Sequence, residues 1–213
     1  MTDAAISTEP RSAEILDDIK GVFATKGFDG ASMQDLARAA GMSAGNFYRY
    51  FPSKHAIIEA MVGRDLADVQ RDFAAIMEAP NAREALRATI LRRLETVGDD
   101  APLWAEIEAA SARRSEIGEI SERMQKAIVG NLVRVFARIS GVPEAVAAQR
   151  YAAHALLLIM LVKGTAVTCC TVTGHGAGVP VEALRALILR QIDLLLDEIA
   201  AGAAPRPVPE PDR

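Results

Sequence analysis

The sequence predicts an all-α chain of about nine helices: a three-helix unit carrying a helix-turn-helix, then a larger helical domain. Three observations predict it. Apolar residues recur at helical spacing along most of the chain, as at Met33, Leu36, Ala37 and Ala40, with no alternating strand pattern. Helix start and stop residues punctuate that pattern, Ser32 and Ser43 at starts and Gly27 and Gly41 at ends. The stop at Gly41 and the next start at Ser43 are only two residues apart, so the helices they join must cross steeply.

The elements follow in order. Residues 1–10, MTDAAISTEP, have no apolar core and read as a loose arm, not a secretory signal. A first helix is expected over 11–26, with Ile15, Ile19, Val22 and Phe23 inward. It stops at Gly27, and Phe28 beyond can fold back on Phe23, the hydrophobic contact of a Schellman ending. Ser32 caps a second helix, with Asp35 three residues on, where a capping box wants an acid. Gly41 ends it in the left-handed conformation, and Ser43 caps the third. Pro52 and Ser53 open a fourth helix that continues to about residue 79, where Pro80 stops it.

The third helix has two unlike sides. At 100° steps, Ala44, Gly45, Tyr48 and Arg49 fall together, opposite Phe47, Tyr50 and Phe51. The phenylalanine side packs on its partners. The other side begins with two residues of almost no side chain, so the helix can approach a surface closely and offer N–H groups to an anion. Tyr48 can donate its hydroxyl to phosphate, and Arg49 can reach a phosphate or a guanine edge. A core tyrosine and a solvated surface arginine are the competing readings of these two. Between residues 31 and 54, Asp35 stands against Arg38, Arg49 and Lys54, so the stretch is locally positive in a chain of net charge −4.

The block GMSAGNFYRYFPSK, preceded by SMQDLARAA and IKGVFATKGFDG, resembles the TetR family of transcriptional regulators over residues 11 to about 60. Ala44 stands where that family often has lysine, and Asn46 where it often has threonine. The resemblance implies a helix-turn-helix DNA-binding domain over 11–54 and a ligand-binding and dimerisation domain over 55–200. A disordered arm (1–10) and a disordered tail (201–213) would flank them. It implies a sequence-specific regulator, a repressor that binds a palindromic operator in double-stranded DNA as a homodimer and is released by a small effector; the Ala-, Leu-, Ile- and Met-rich composition of the fourth to eighth helices favours an apolar or aromatic one. Repressor and activator are not separated by the sequence. Ser32, Gln34, Ser43, Gly45, Tyr48 and Lys54 are expected near phosphates, Asn46 and Arg49 at bases, and Ala44 near a thymine methyl.

Beyond the motif, Asn81 and Glu84 form a capping pair for a fifth helix with Leu86, Ile90, Leu94 and Val97 inward, ending at Gly98. Asp100 and Pro102 open a sixth, with Leu103, Trp104, Ile107 and Ala110 apolar. Residues from Ile117 to Ile139 mark a seventh, closed by Gly141. Pro143 sits in the first turn of an eighth, which runs through Tyr151 to about residue 170. TVTGHGAGV then reads as a loop, and Pro180 begins a ninth. The last two helices are apolar on more than one face, which suits an interface with a second copy through Leu184, Leu187, Ile188 and Leu195; a deep monomer core is the competing reading. The resemblance also suggests an effector cavity, with Trp104, Ile107, Met124, Ile128 and Leu157 as wall residues. Trp104 fits plain core equally well.

Half of the residues are hydrophobic but only 5% are aromatic, so Ala, Leu, Ile and Val must fill the core. The longest apolar run, 155–162, ends at Lys163, well short of the roughly 20 residues a membrane span needs, so no membrane partner is expected. Cys169 and Cys170 are adjacent and give no disulfide framework, which favours a reducing, cytoplasmic setting. His154, Cys169, Cys170 and His175 fit no standard zinc spacing, and no cofactor or metal is expected. No Ser/His/Asp set or close carboxylate pair stands out, so no catalytic residue is assigned. An all-helical enzyme or small-molecule-binding protein using a C-terminal pocket is the alternative of a different class, distinguished by turnover in place of a stoichiometric DNA shift.

Overall fold

The computed structural model describes the backbone of residues 10–175 and 181–202, and the side chains of 11–95, 100–165 and 182–202. Eight helical spans fill these residues: α1 (Pro10–Gly30), α2 (Met33–Ala39), α3 (Ala44–Tyr50), α4 (Lys54–Glu78), α5 (Ala82–Arg113), α6 (Ser115–Ser140), α7 (Glu144–His175) and α8 (Val181–Ala200). There is no strand among the described residues.

The caps explain most of the boundaries. α1 is broken at Gly27, where φ is +69°, a conformation that costs glycine little and other residues more. Phe28 then folds back so that its ring stacks on Phe23, centroids 6.0 Å apart. Gly41 (φ +64°) and Gly141 (φ +70°) follow α2 and α6, likewise at positive φ. Ser53 Oγ accepts the Ala56 N–H at 3.1 Å to start α4, and Asn81 Oδ1 accepts the Glu84 N–H at 3.2 Å to start α5.

Two boundaries differ from the sequence reading. The expected break between Gly98 and Pro102 is absent, and α5 passes through Pro102. A proline inside a helix costs about 3 kcal/mol. Leu103 and Ile107, both almost fully buried just beyond it, can each return about 1.5–3 kcal/mol, so packing outweighs the local breaker. α7 likewise continues to His175, past the point where a loop was expected. Residues 176–180, with Pro180, lie outside the described residues, as do the side chains of Val97, Cys169, Cys170 and His175 and, of the expected disordered ends, residues 1–9 and 203–213. Pro10 opens α1, and the Ala201 and Gly202 N–H groups bond back to Asp197 O and Ile199 O.

The chain divides into two compact units, Met1–Asp68 with Asp99–Gln125, and Val69–Gly98 with Lys126–Arg213. The first therefore takes in the C-terminal part of α5 and the start of α6 as well as the helix-turn-helix. Its core gathers Ile15, Ile19, Phe23, Leu36, Phe47, Phe51, Ile57, Ile58, Leu103 and Ile107. The core of the second gathers Leu86, Ile90, Phe136, Tyr151, Leu158, Ile192, Leu196 and Ile199. In the second unit Arg87 holds Asp193 with two bonds of 2.6 and 3.1 Å, tying α5 to α8. Arg138 donates to the Ile76, Met77 and Ala79 carbonyls, satisfying the open end of α4.

Among the described residues, the stretch Glu144–Thr165 of α7 is long and apolar enough to cross a membrane by length and composition. An unbroken apolar run had suggested otherwise, because it stops at the first charge. Ala147, Tyr151, Ala155 and Leu158 of this stretch are buried in the core of the second unit, and the polar His154 is buried with them.

Candidate nucleic-acid interface

α2 and α3 are each set by their caps. Ser32 Oγ accepts the Asp35 N–H at 3.1 Å while Asp35 Oδ2 accepts the Ser32 N–H at 3.1 Å, a complete capping box. Ser43 Oγ accepts the Asn46 N–H at 3.4 Å at the start of α3. Between them the Met42 N–H returns to Ala37 O at 2.9 Å, closing the turn at Gly41. Phe47 and Phe51 are buried and packed tilted, centroids 5.8 Å apart, which fixes the rotation of α3 about its axis.

That rotation leaves one face outward. Ala44, Gly45, Asn46, Tyr48 and Arg49 are all exposed, as are Ser32, Gln34 and Ser43. Tyr48 is 48% exposed, which removes the core-tyrosine reading, whereas Tyr50 packs against the core of the first unit. A Cβ built on Gly45 meets nothing within 4 Å, and its φ is not in the left-handed region. The fold therefore gives no reason for glycine there. Its smallness leaves the first turn of α3 open to close approach by a partner surface.

Two of the expected phosphate donors are already engaged. The Ser32 hydroxyl donates to Asp35 Oδ2 at 2.6 Å, so both its O–H and its N–H belong to the capping box. The Lys54 ammonium turns inward, donating to Phe28 O at 2.6 Å, Ala31 O at 3.0 Å and Asp29 O at 3.4 Å. Ser43, whose oxygen accepts, keeps its own proton to give.

The acid of the motif is neutralised in place. Asp35 pairs with Lys26 at 2.8 Å and lies 3.7 Å from Arg38. The hydrogen bonds from Lys26 and then from Ser32 hold its carboxyl well below the usual carboxylate range. It stays ionised yet compensated, and the outward face of the motif keeps its positive balance. The sequence had no local signal for the Lys26 contact, which depends on where the end of α1 lies against α2.

The expected effector-wall residues are not in one unit. Trp104 and Met124 pack against the core of the first unit, and Ile107 is buried in it. Ile128 packs against the core of the second. Leu157 is 47% exposed. A shallow crevice, too tight to hold a water molecule, lies in the first unit between Phe23, Phe28, Ile58, Leu103, Glu106 and Ile107. Of the expected interface residues on α8, Leu187 is exposed, Leu184 and Ile188 are half-buried, and Leu195 is only 4% exposed within the second core. Leu195 is thus a core residue, because it lies on the side of α8 that carries Ile192, Leu196 and Ile199. Leu194, not in the expected set, is 54% exposed.

The comparisons with known proteins agree with this geometry. The family model for bacterial regulatory proteins, tetR family, matches residues 15–61. The HTH-type transcriptional repressor Rv1474c of Mycobacterium tuberculosis is 30% identical over 138 residues, 58% of this chain and 70% of that protein. The HTH-type transcriptional regulator BetI of Cronobacter sakazakii is 28% identical over 153 residues, 68% of this chain and 73% of that one. The solved structure of GusR from Salmonella enterica superposes with a TM-score of 0.68 at 23% identity, covering 92% of this chain and 98% of that one.

Proposed function

The chain belongs to the TetR family of bacterial regulatory proteins, and on that premise we propose that it is a repressor that binds a palindromic operator as a homodimer. Regulators of this family bind DNA through the helix-turn-helix and are not enzymes. The observation that carries the reading is the outward face of α3: a glycine the fold does not need, beside exposed Ala44, Asn46, Tyr48 and Arg49. In this proposal Gln34, Ser43, Gly45 and Tyr48 lie near phosphates, Asn46 and Arg49 reach base edges, and Ala44 meets a thymine methyl. Selection of bound duplexes from random DNA tests it. Enrichment of one palindrome supports the reading, and absence of any enriched sequence removes it.

The homodimer is supported by apolar side chains that the second unit leaves uncovered. Leu156, Leu157 and Met160 of α7 and Leu187 and Leu194 of α8 are 40–67% exposed. Uncovered apolar groups on two adjacent helices mark an association surface. A second copy would cover them and supply the second recognition helix that a palindrome requires. The same covering accounts for an α7 that is apolar enough for a bilayer.

The effector in this proposal is a small apolar or aromatic molecule, supported by the chain's apolar, aromatic-poor composition from α4 to α7. The crevice beside Ile107 has no room even for a water molecule, far from the roughly 300–1,000 Å³ of a drug-sized pocket. Binding would therefore open space that the unliganded chain keeps closed. Titration of an apolar ligand panel, read by Trp104 fluorescence with and without the selected duplex, decides it. Release requires weaker ligand binding when DNA is present, by linkage. Equal affinity in both cases leaves a DNA binder without this switch.

A further inference from the structure

The structure assigns Lys54 a positioning role: its ammonium ties together the two ends of the helix-turn-helix, and it is not a phosphate ligand. This rests on the DNA-binding reading above and names what holds that motif in shape.

The motif begins at the Ser32 cap and ends with Phe51, the residue that closes α3. Lys54, three residues past that end, reaches back to the residues just before the start. Its Nζ donates to Ala31 O at 3.0 Å and to Phe28 O at 2.6 Å, with Asp29 O at 3.4 Å. An ammonium has three hydrogens and no other donor. Three carbonyl oxygens converge on it, two (Phe28 and Asp29) from the end of α1, where helix carbonyls lack partners of their own, and one (Ala31) from the link to α2.

Phe28 shows how firmly this point is gripped. Its carbonyl takes Lys54, and its ring lies 4.9 Å from Lys54 Nζ and 5.4 Å from the Arg114 guanidinium. Its N–H donates to Glu106 Oε1 at 2.7 Å, and its ring stacks on Phe23. Arg114 also pairs with the neighbouring Asp29 at 2.5 Å. The link from α1 to α2 is thus a fixed anchor, and Lys54 fastens the exit of α3 to it. Without that tie, α3 could move against α2 while each helix stayed folded, and the reading face would lose its alignment.

The test is NMR on the full-length, isotopically labelled wild-type protein, free and bound to the duplex recovered by selection. The expected result is scalar coupling from Lys54 Nζ to the carbonyl carbons of Phe28 and Ala31, retained in the DNA complex. Loss of that coupling on binding, with coupling to a DNA phosphorus instead, would overturn the proposal. A second arm uses Lys54→Met and Lys54→Arg in binding titrations across salt concentrations. A positioning residue predicts at least a tenfold loss of affinity in Lys54→Met with an unchanged salt slope. A phosphate ligand predicts a slope reduced by about 1.8 for the dimer, about 0.9 from each protomer. Lys54→Arg should not rescue, because a planar guanidinium keeps the charge but cannot converge on three carbonyls; full rescue by arginine would contradict the assignment. The free-protein couplings need no DNA, so recovery of no duplex would sink the DNA reading while leaving this contact separately testable.

Discussion

Glu106 accepts the backbone N–H of Phe28 at 2.7 Å, across 78 residues of chain. The same carboxylate oxygen would lie 3.2 Å from a Cβ placed on Gly27, where φ is +69°. α5 therefore packs its carboxylate against the turn at the end of α1, where the positive φ calls for glycine and a Cβ would press on Glu106.

Gly27→Ala should destabilise the protein by about 1–3 kcal/mol, because φ +69° with ψ 169° is a backbone region essentially reserved for glycine. Urea denaturation measures it. An unchanged midpoint would show that the turn rearranges at no cost.

Gly45→Ala should do the reverse. No atom stands within 4 Å of the new Cβ, and helix propensity favours alanine by about 0.5–1 kcal/mol. The folded state should gain stability while DNA affinity falls, because the added methyl holds α3 off its target. Thermal melting and binding anisotropy on the same sample check both signs. Gain in stability with unchanged DNA affinity would remove the close-approach argument.

Much of the helix-turn-helix was legible in the sequence because its determinants are local. Ser32 and Asp35, Ser43, Gly41, and the Phe23–Phe28 contact across Gly27 each depend on residues a turn apart, and the structure has all of them. What failed depended on distant packing. Pro102 reads as a helix start until burial of Leu103 and Ile107 outweighs it. Lys54 reads as a surface cation until the end of α1 is placed beside it. Leu195 and Leu194 are adjacent in an equally apolar run, and only the fold tells which faces inward.

That difference predicts opposite outcomes for neighbouring substitutions. Leu187→Glu with Leu194→Glu should leave the chain folded and turn a dimer into a monomer by sedimentation, with weaker binding to a palindrome. Leu195→Glu buries a charge in the second core and should cost on the order of 4 kcal/mol of stability. If the double variant stays dimeric, the exposed face of α7 and α8 is not the interface.

Acid should weaken the structure through its paired carboxylates. The hydrogen bonds from Arg87 hold the Asp193 carboxyl below its usual 3.8, and Lys26 and Ser32 do the same for Asp35. Because both are lowered on folding, their stabilisation is fully present above about pH 4 and is lost as pH falls through the lowered values. Asp193→Asn should lower stability at pH 7 and flatten its decline between pH 5 and 3, read from urea midpoints. A decline as steep as in wild type would mean that this pair contributes nothing to the acid limb.

The central claim is that the outward face of α3 reads base sequence. Selection of duplexes from random DNA by wild type, Arg49→Ala and Asn46→Ala tests it most directly. The account predicts one palindrome for wild type. It predicts that Arg49→Ala relaxes a single position in each half-site at a cost of about 1–3 kcal/mol, with Asn46→Ala relaxing a different one. An identical enriched sequence and unchanged affinity in both variants would contradict it.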